Sequence, residues 1–117
     1  MASVPLPDVA FKILTREQLD TLLADGTFGG APIDIADGYI HMSSAGQVRE
    51  TLEKHFARQD DVHLAAVDLR ALEAAIRWEV SRGGALFPHL YADLPLAAVI
   101  AHAPVAWNED GSLALPG

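Results

Sequence analysis

Residues 37–50 read DGYIHMSSAGQVRE, and the fold turns on a change of period inside them. Up to Ser43 the polarity alternates: Ile40 and Met42 fall on one side of an extended segment, Tyr39, His41 and Ser43 on the other, because successive strand side chains point to opposite faces. Beyond Ser44, the apolar residues Val48, Leu52 and Phe56 recur every four, which is the spacing of one helical face. Ser44 and Gln47 have the separation of a capping box, in which each side chain satisfies a free N–H at the helix start. The spacing predicts a strand around His41, then a helix from about Ala45 to Ala57 with Ser44 as its cap.

Working upstream, "TFGGAPIDIADG" (27–38) is punctuated by glycine and proline and reads as a loop. Before it, Thr15 and Gln18 form another capping-box pair, Leu19, Leu22 and Leu23 follow at helical spacing, and Gly26 stands where a left-handed terminator belongs. "FKIL" (11–14) is a short strand. Residues 1–10, with two prolines and no period, read as a lead-in.

Downstream, "VHLAAVDL" (62–69) is almost wholly apolar, as a central strand covered on both faces would be. Asp68 is placed to cap a short helix carrying Leu72 and Ile76, and "RWEV" (77–80) alternates again. "SRGGALFPHLYADLP" (81–95) reads as a long irregular connection, "LAAVIAHAPV" (96–105) holds the last strand, and residues 106–117 read as a loose tail. The result is one α+β domain over residues 11–105, with about five strands and two or three helices.

Composition narrows the partners. The 117 residues suffice for one compact domain. A formal charge of −8 opposes long-range attraction of polyanions, so bulk nucleic acid is an unfavourable partner, while a small anion held by local donors is not excluded. The absence of cysteine removes disulfides and thiolate chemistry. With no leader pattern at the start and no run long enough to span a bilayer, a cytoplasmic protein without membrane contact is the default. Composition is silent on oligomeric state.

Two clusters could carry chemistry. His41 lies beside Tyr39 and Ser43, and Ser43 just precedes a helix start, where free N–H groups favour a phosphate or carboxylate. The plain alternative is a half-exposed strand histidine with a satisfied ring. The second cluster holds Trp78, Glu79, Arg82, Gly83, Gly84, Phe87, His89 and Tyr91; its aromatics suit a planar ring, its glycines a close backbone approach, and Glu79, Arg82 and His89 the polar edges of a ligand. Here the alternative is that Phe87, Leu90 and Tyr91 plug the core. His41 and His89 are expected to meet across a cleft, each lying on the polar side of an element whose other side is apolar. His41, His55 and His89 have no short metal-ligand spacing, so no metal site is expected; His55, His63 and His102 read as structural or solvated. No dinucleotide, P-loop or nucleophile-elbow motif is present.

Taken in order, "FKIL", "DGYIHMSS", "RWEVSRGGALFPHLY" and "LPLAAVI" resemble the bacterial family called domain of unknown function 952, over roughly Phe11 to Pro104. More remotely, "IHMSS" followed by "LAAVDL" is similar to the His-Leu-Ser strand and Val-Asp strand of ADP-ribosyltransferase-like proteins, notably the RNA 2′-phosphotransferases. That resemblance implies a split, strongly bent mixed β-sheet with NAD in its cleft. It implies His41, Glu79 and His89 as catalytic residues. Lys12, Tyr39, Ser43, Arg82, Gly83, Phe87 and Tyr91 complete the candidate set as ligand contacts. The implied activity is ADP-ribosyl transfer, with NAD or ADP-ribose as the nucleotide-like ligand; the alternative is a non-catalytic ligand-binding or protein-interaction module. In place of the phosphotransferases' His-Gly-Thr turn stands Lys12-Ile13-Leu14-Thr15, and arginines are few.

Overall fold

In the computed structural model, which describes residues 7–117 apart from the side chain of Arg82, the chain begins with β1 (Val9–Thr15) and α1 (Arg16–Asp25). Thr15 accepts from the Gln18 N–H while Gln18 returns a bond to the Thr15 N–H, and Gly26 ends the helix in the left-handed conformation at φ 74°. There follow β2 (Thr27–Phe28), α2 (Pro32–Asp37), β3 (Ile40–His41) and α3 (Val48–His55). The second half contributes β4 (Val62–Asp68), a 3₁₀ segment (Leu69–Ala75), β5 (Ile76–Val80), β6 (Leu86–Leu90), β7 (Leu94–Pro95) and β8 (Val99–Pro104). Asp68 caps the 3₁₀ segment by accepting from the Arg70 N–H. Among the described residues no helix is long and apolar enough to cross a membrane.

The strands form two three-stranded sheets, β1-β4-β8 and β3-β6-β5, and a small β2-β7 pair. All described pairings are antiparallel, which corrects the expectation of a mixed sheet. The three-helix excursion between β1 and β4 returns to the end of the sheet it left, as the Thr15–Val62 partnership shows. A parallel neighbour would have had to re-enter at the other end.

β4 is the central strand of its sheet, and its side chains feed two cores. Ala65 and Val67 join Ala10, Leu14, Leu19 and Leu22 on the α1 side; Leu64 and Ala66 join Phe11, Ile13, Val48 and Leu52 on the α3 side. The continuous apolar run of β4 follows from this double covering.

Four expectations need correction. The glycine- and proline-rich stretch before His41 contains α2, opened by Pro32 and closed by Gly38 at φ 88°, positions where a fixed φ and a left-handed residue suit the two ends of a helix. The supposed long irregular connection holds β6, the central strand of its sheet. Gly83 and Gly84, at φ 70° and 80°, turn the hairpin between β5 and β6; a Cβ on either would meet no protein atom within 4 Å, so it is the positive φ that calls for glycine there. The tail also packs: Leu113 joins the α3-side core and bridges to Trp107.

The fourth correction concerns the two serines. α3 starts at Val48 with no side-chain cap; the Gln47 side-chain oxygen accepts from the Ser44 N–H at 3.0 Å, while the Gln47 N–H goes to the Ser44 backbone carbonyl, so only half of a capping box is made. Ser43 is the buried one, with its Oγ 3.2 Å from Thr51 Oγ1 and its backbone exchanging two hydrogen bonds with Phe11. Ser43→Ala is therefore expected to cost about 1 kcal/mol and Ser44→Ala a few tenths at most, since a net intramolecular hydrogen bond is worth about that much. Urea melts of the two variants check the order; equal or inverted losses would contradict it.

Candidate functional site

The Phe11–Ser43 exchange joins the two sheets, and Pro88 explains why it falls there. Met42 donates its N–H to the Pro88 carbonyl at 3.2 Å, but proline has no N–H to give back. The chain after His41 leaves β6 at this point, and Ser43 pairs with β1 instead. In an antiparallel ladder hydrogen-bonded and non-hydrogen-bonded pairs alternate, and side chains approach most closely at the latter. His41 and His89, the pair next to Met42 and Pro88, occupy such a position.

Their rings lie 5.6 Å apart, edge to face. The two imidazoles thus meet as cross-strand neighbours on one sheet face, not from opposite walls of a cleft as expected. The alternation that sends Ile40 and Leu90 into the core puts Tyr39, His41, Phe87, His89, Arg77 and Glu79 on the other side. Tyr39 stacks on His89 at 4.1 Å and lies 5.2 Å from Tyr91, over which the Arg77 guanidinium sits at 4.9 Å.

Each histidine has carboxylate partners. His41 Nδ1 is 2.6 Å from Asp34 Oδ1 and its Nε2 2.9 Å from Asp37 Oδ2. His89 Nδ1 is 2.8 Å from Glu79 Oε1, which also accepts the Tyr91 hydroxyl at 2.6 Å. The hydrogen bonds from Tyr91 and then His89 hold the Glu79 carboxyl below its ordinary pKa, and the same bond raises that of Tyr91. Burial, with the charges of Asp37 and Glu79, raises the pKa of Tyr39. Glu79 is therefore a carboxylate at neutral pH, and its side chain is 39% exposed.

Beneath the face lies an ion pair that sequence reasoning missed. Asp34, on α2, is 1% exposed and accepts from Lys12 Nζ at 2.9 Å. Lys12 also donates to the His41 carbonyl at 2.9 Å. Burial alone would raise the Asp34 pKa; the hydrogen bond from His41 and the charge of Lys12 outweigh it and hold the carboxyl far below the usual range. Burial lowers the pKa of Lys12, against the pull of Asp34. The sequence signal for Asp34 was Pro-x-Asp ahead of a glycine, the mark of a short helix with proline at its first position.

The candidate residues are thus divided. His41, Glu79, Tyr39 and Tyr91 share the open part of the face; His89, 3% exposed, lies under Tyr39 and touches Glu79. Lys12, Ser43 and Phe87 are buried, so the first two spend their polar groups inside the protein. Gly83 sits in the hairpin turn, and the Arg82 side chain lies outside the described residues. A depression of about 520 Å³ lined by Leu52, Phe56, Val62, Val105 and Trp107 contains none of these groups.

The chain is thus a small α+β protein with two three-stranded antiparallel sheets, one of which bears a pair of carboxylate-bound histidines on its polar face. The chain belongs to the family described as protein of unknown function DUF952, whose model matches residues 13–102. It is similar to the crystal structure of protein CC0527 from Caulobacter crescentus, at 40% identity over 91% of this chain and 93% of that one, with a TM-score of 0.82. The solution NMR structure of CC0527 gives 41% identity, 90% of each chain and a TM-score of 0.76. No curated protein matches the sequence.

Proposed function

We propose that the polar face of the β3-β6-β5 sheet binds a nucleotide-like ligand of the NAD or ADP-ribose kind and that the protein transfers ADP-ribosyl groups. The observation that supports this most is Glu79, a partly exposed, ionised carboxylate fixed through one oxygen by two neighbours. In this reading Glu79 orients a ribose hydroxyl and stabilises positive charge at the anomeric carbon as the C–N bond breaks and nicotinamide leaves with its electron pair, and the oxygen of water or an acceptor hydroxyl then bonds that carbon and loses its proton to solvent. Tyr39 and Tyr91 offer ring faces for a planar group, and His41 offers a ring nitrogen for a hydrogen bond. His89 acts through Glu79, which it holds in place.

A non-catalytic binding module is the second reading, and the scarcity of cations favours it: Lys12 is spent on Asp34, leaving Arg77 as the basic side chain described on the face. Incubation with NAD and chromatography for free nicotinamide separates the two. Turnover by the wild-type protein is the expected result. Binding of ADP-ribose without release of nicotinamide would establish the module instead.

A further inference from the structure

Asp34 is too fully engaged to exchange protons with a ligand. Its Oδ2 accepts from Lys12 Nζ at 2.9 Å and from the Ala31 N–H at 2.8 Å; its Oδ1 accepts from the His41 N–H at 3.0 Å and faces His41 Nδ1 at 2.6 Å. Four donors fill the acceptor positions of a carboxylate, and the group is buried. One oxygen holds both the main chain and the ring of His41, so the imidazole is fixed at two points. An ionised carboxylate can only accept, hence the ring nitrogen against it carries a proton, and a histidine's outward nitrogen is decided by the bond the inner one makes.

We infer that Asp34, backed by Lys12, is the positioning residue of this face: it turns His41 so that Nδ1–H points inward and Nε2 alone is presented outward. The outward nitrogen meets Asp37, whose side chain is 41% exposed; such an exposed pair is weak and screened by salt, whereas the Asp34 contact is sheltered. By the same rule the 2.9 Å contact with Asp37 puts a proton on Nε2 as well; when the ring carries one proton only, it stays at the sheltered Asp34 contact, and Nε2, released from Asp37, is an acceptor for a hydroxyl such as those of ribose. This deepens the proposed function and rests on it for the ligand, but the orientation of His41 can be tested without one.

The test is two-bond ¹H–¹⁵N correlation on protein labelled at histidine, at alkaline pH where the ring is neutral. His41 is assigned by its loss in His41→Gln. The wild type and Asp37→Asn are expected to show the Nδ1–H tautomer. Asp34→Asn, if it folds, is expected to shift toward Nε2–H and to bind ADP-ribose at least tenfold more weakly. A wild-type spectrum with the proton on Nε2 would overturn the inference, and so would a folded Asp34→Asn with the wild-type tautomer. Because the wild-type spectrum decides by itself, failure of Asp34→Asn to fold does not remove the test. Nδ1–H in a protein that ignores ADP-ribose would uphold the orientation and overturn the ligand reading.

Discussion

Replacing Asp34 by alanine is expected to destabilise the protein by roughly 3 to 5 kcal/mol at neutral pH. Lys12 is 5% exposed, and a buried charge that loses its partner costs about that much. The Ala31 and His41 N–H groups lose their acceptor as well. Small domains have only about 5 to 15 kcal/mol in hand, so the variant sits near the limit of folding. The double replacement Lys12→Met with Asp34→Leu is expected to recover part of the loss, because it removes the stranded charge but not the two stranded backbone donors. Urea unfolding of wild type, single and double variants gives the comparison; a loss under about 1 kcal/mol for Asp34→Ala would contradict the buried pair. The pH dependence has a definite sign. The folded pKa of Asp34 is depressed, so its contribution is complete above the unfolded value of about 4 and is lost as pH falls below it toward the folded value. Acid unfolding of a folded Asp34 variant should therefore be less steep below pH 4 than that of the wild type.

The second large effect is catalytic. Glu79→Gln is expected to lower nicotinamide release by about 10²- to 10³-fold, the usual loss when one preorganised electrostatic group is removed from a reacting centre. Stability should change little, since the side chain is partly exposed at 39% and glutamine keeps an oxygen for Tyr91 or His89 to approach. Rates of nicotinamide release together with urea midpoints check both halves. Unchanged turnover would remove Glu79 from the chemistry, and a stability loss matching the rate loss would make it structural.

The parts of the fold legible in the sequence are those set by local interactions. The Thr15–Gln18 box, Gly26, the Asp68 cap and the apolar run of β4 each depend on residues a few positions apart, or on a strand covered on both sides. β6 was illegible because two glycines and Pro88 argue against a strand. Pairing with β5 and the short β3 overrides that preference, and the missing proline N–H becomes the point where the chain crosses to β1. Ser44 misled because its spacing to Gln47 suits a cap, while Ser43 is held by Phe11, a partner thirty-two positions away that no local pattern reveals. On the site, alternation placed Tyr39, His41, Glu79 and His89 on polar sides, and register brought them together. Asp34 and Asp37 escape sequence reading because glycine and proline give the short helix that carries them the composition of a loop.

The most direct test of the polar face as a ligand site is an ¹H–¹⁵N correlation titration of the wild-type protein with ADP-ribose. The expected result is saturable shifts centred on the amides of Tyr39, His41, Glu79, His89 and Tyr91. Shifts centred instead on the depression around Leu52, Phe56 and Trp107, or no shifts at millimolar ligand, would contradict it.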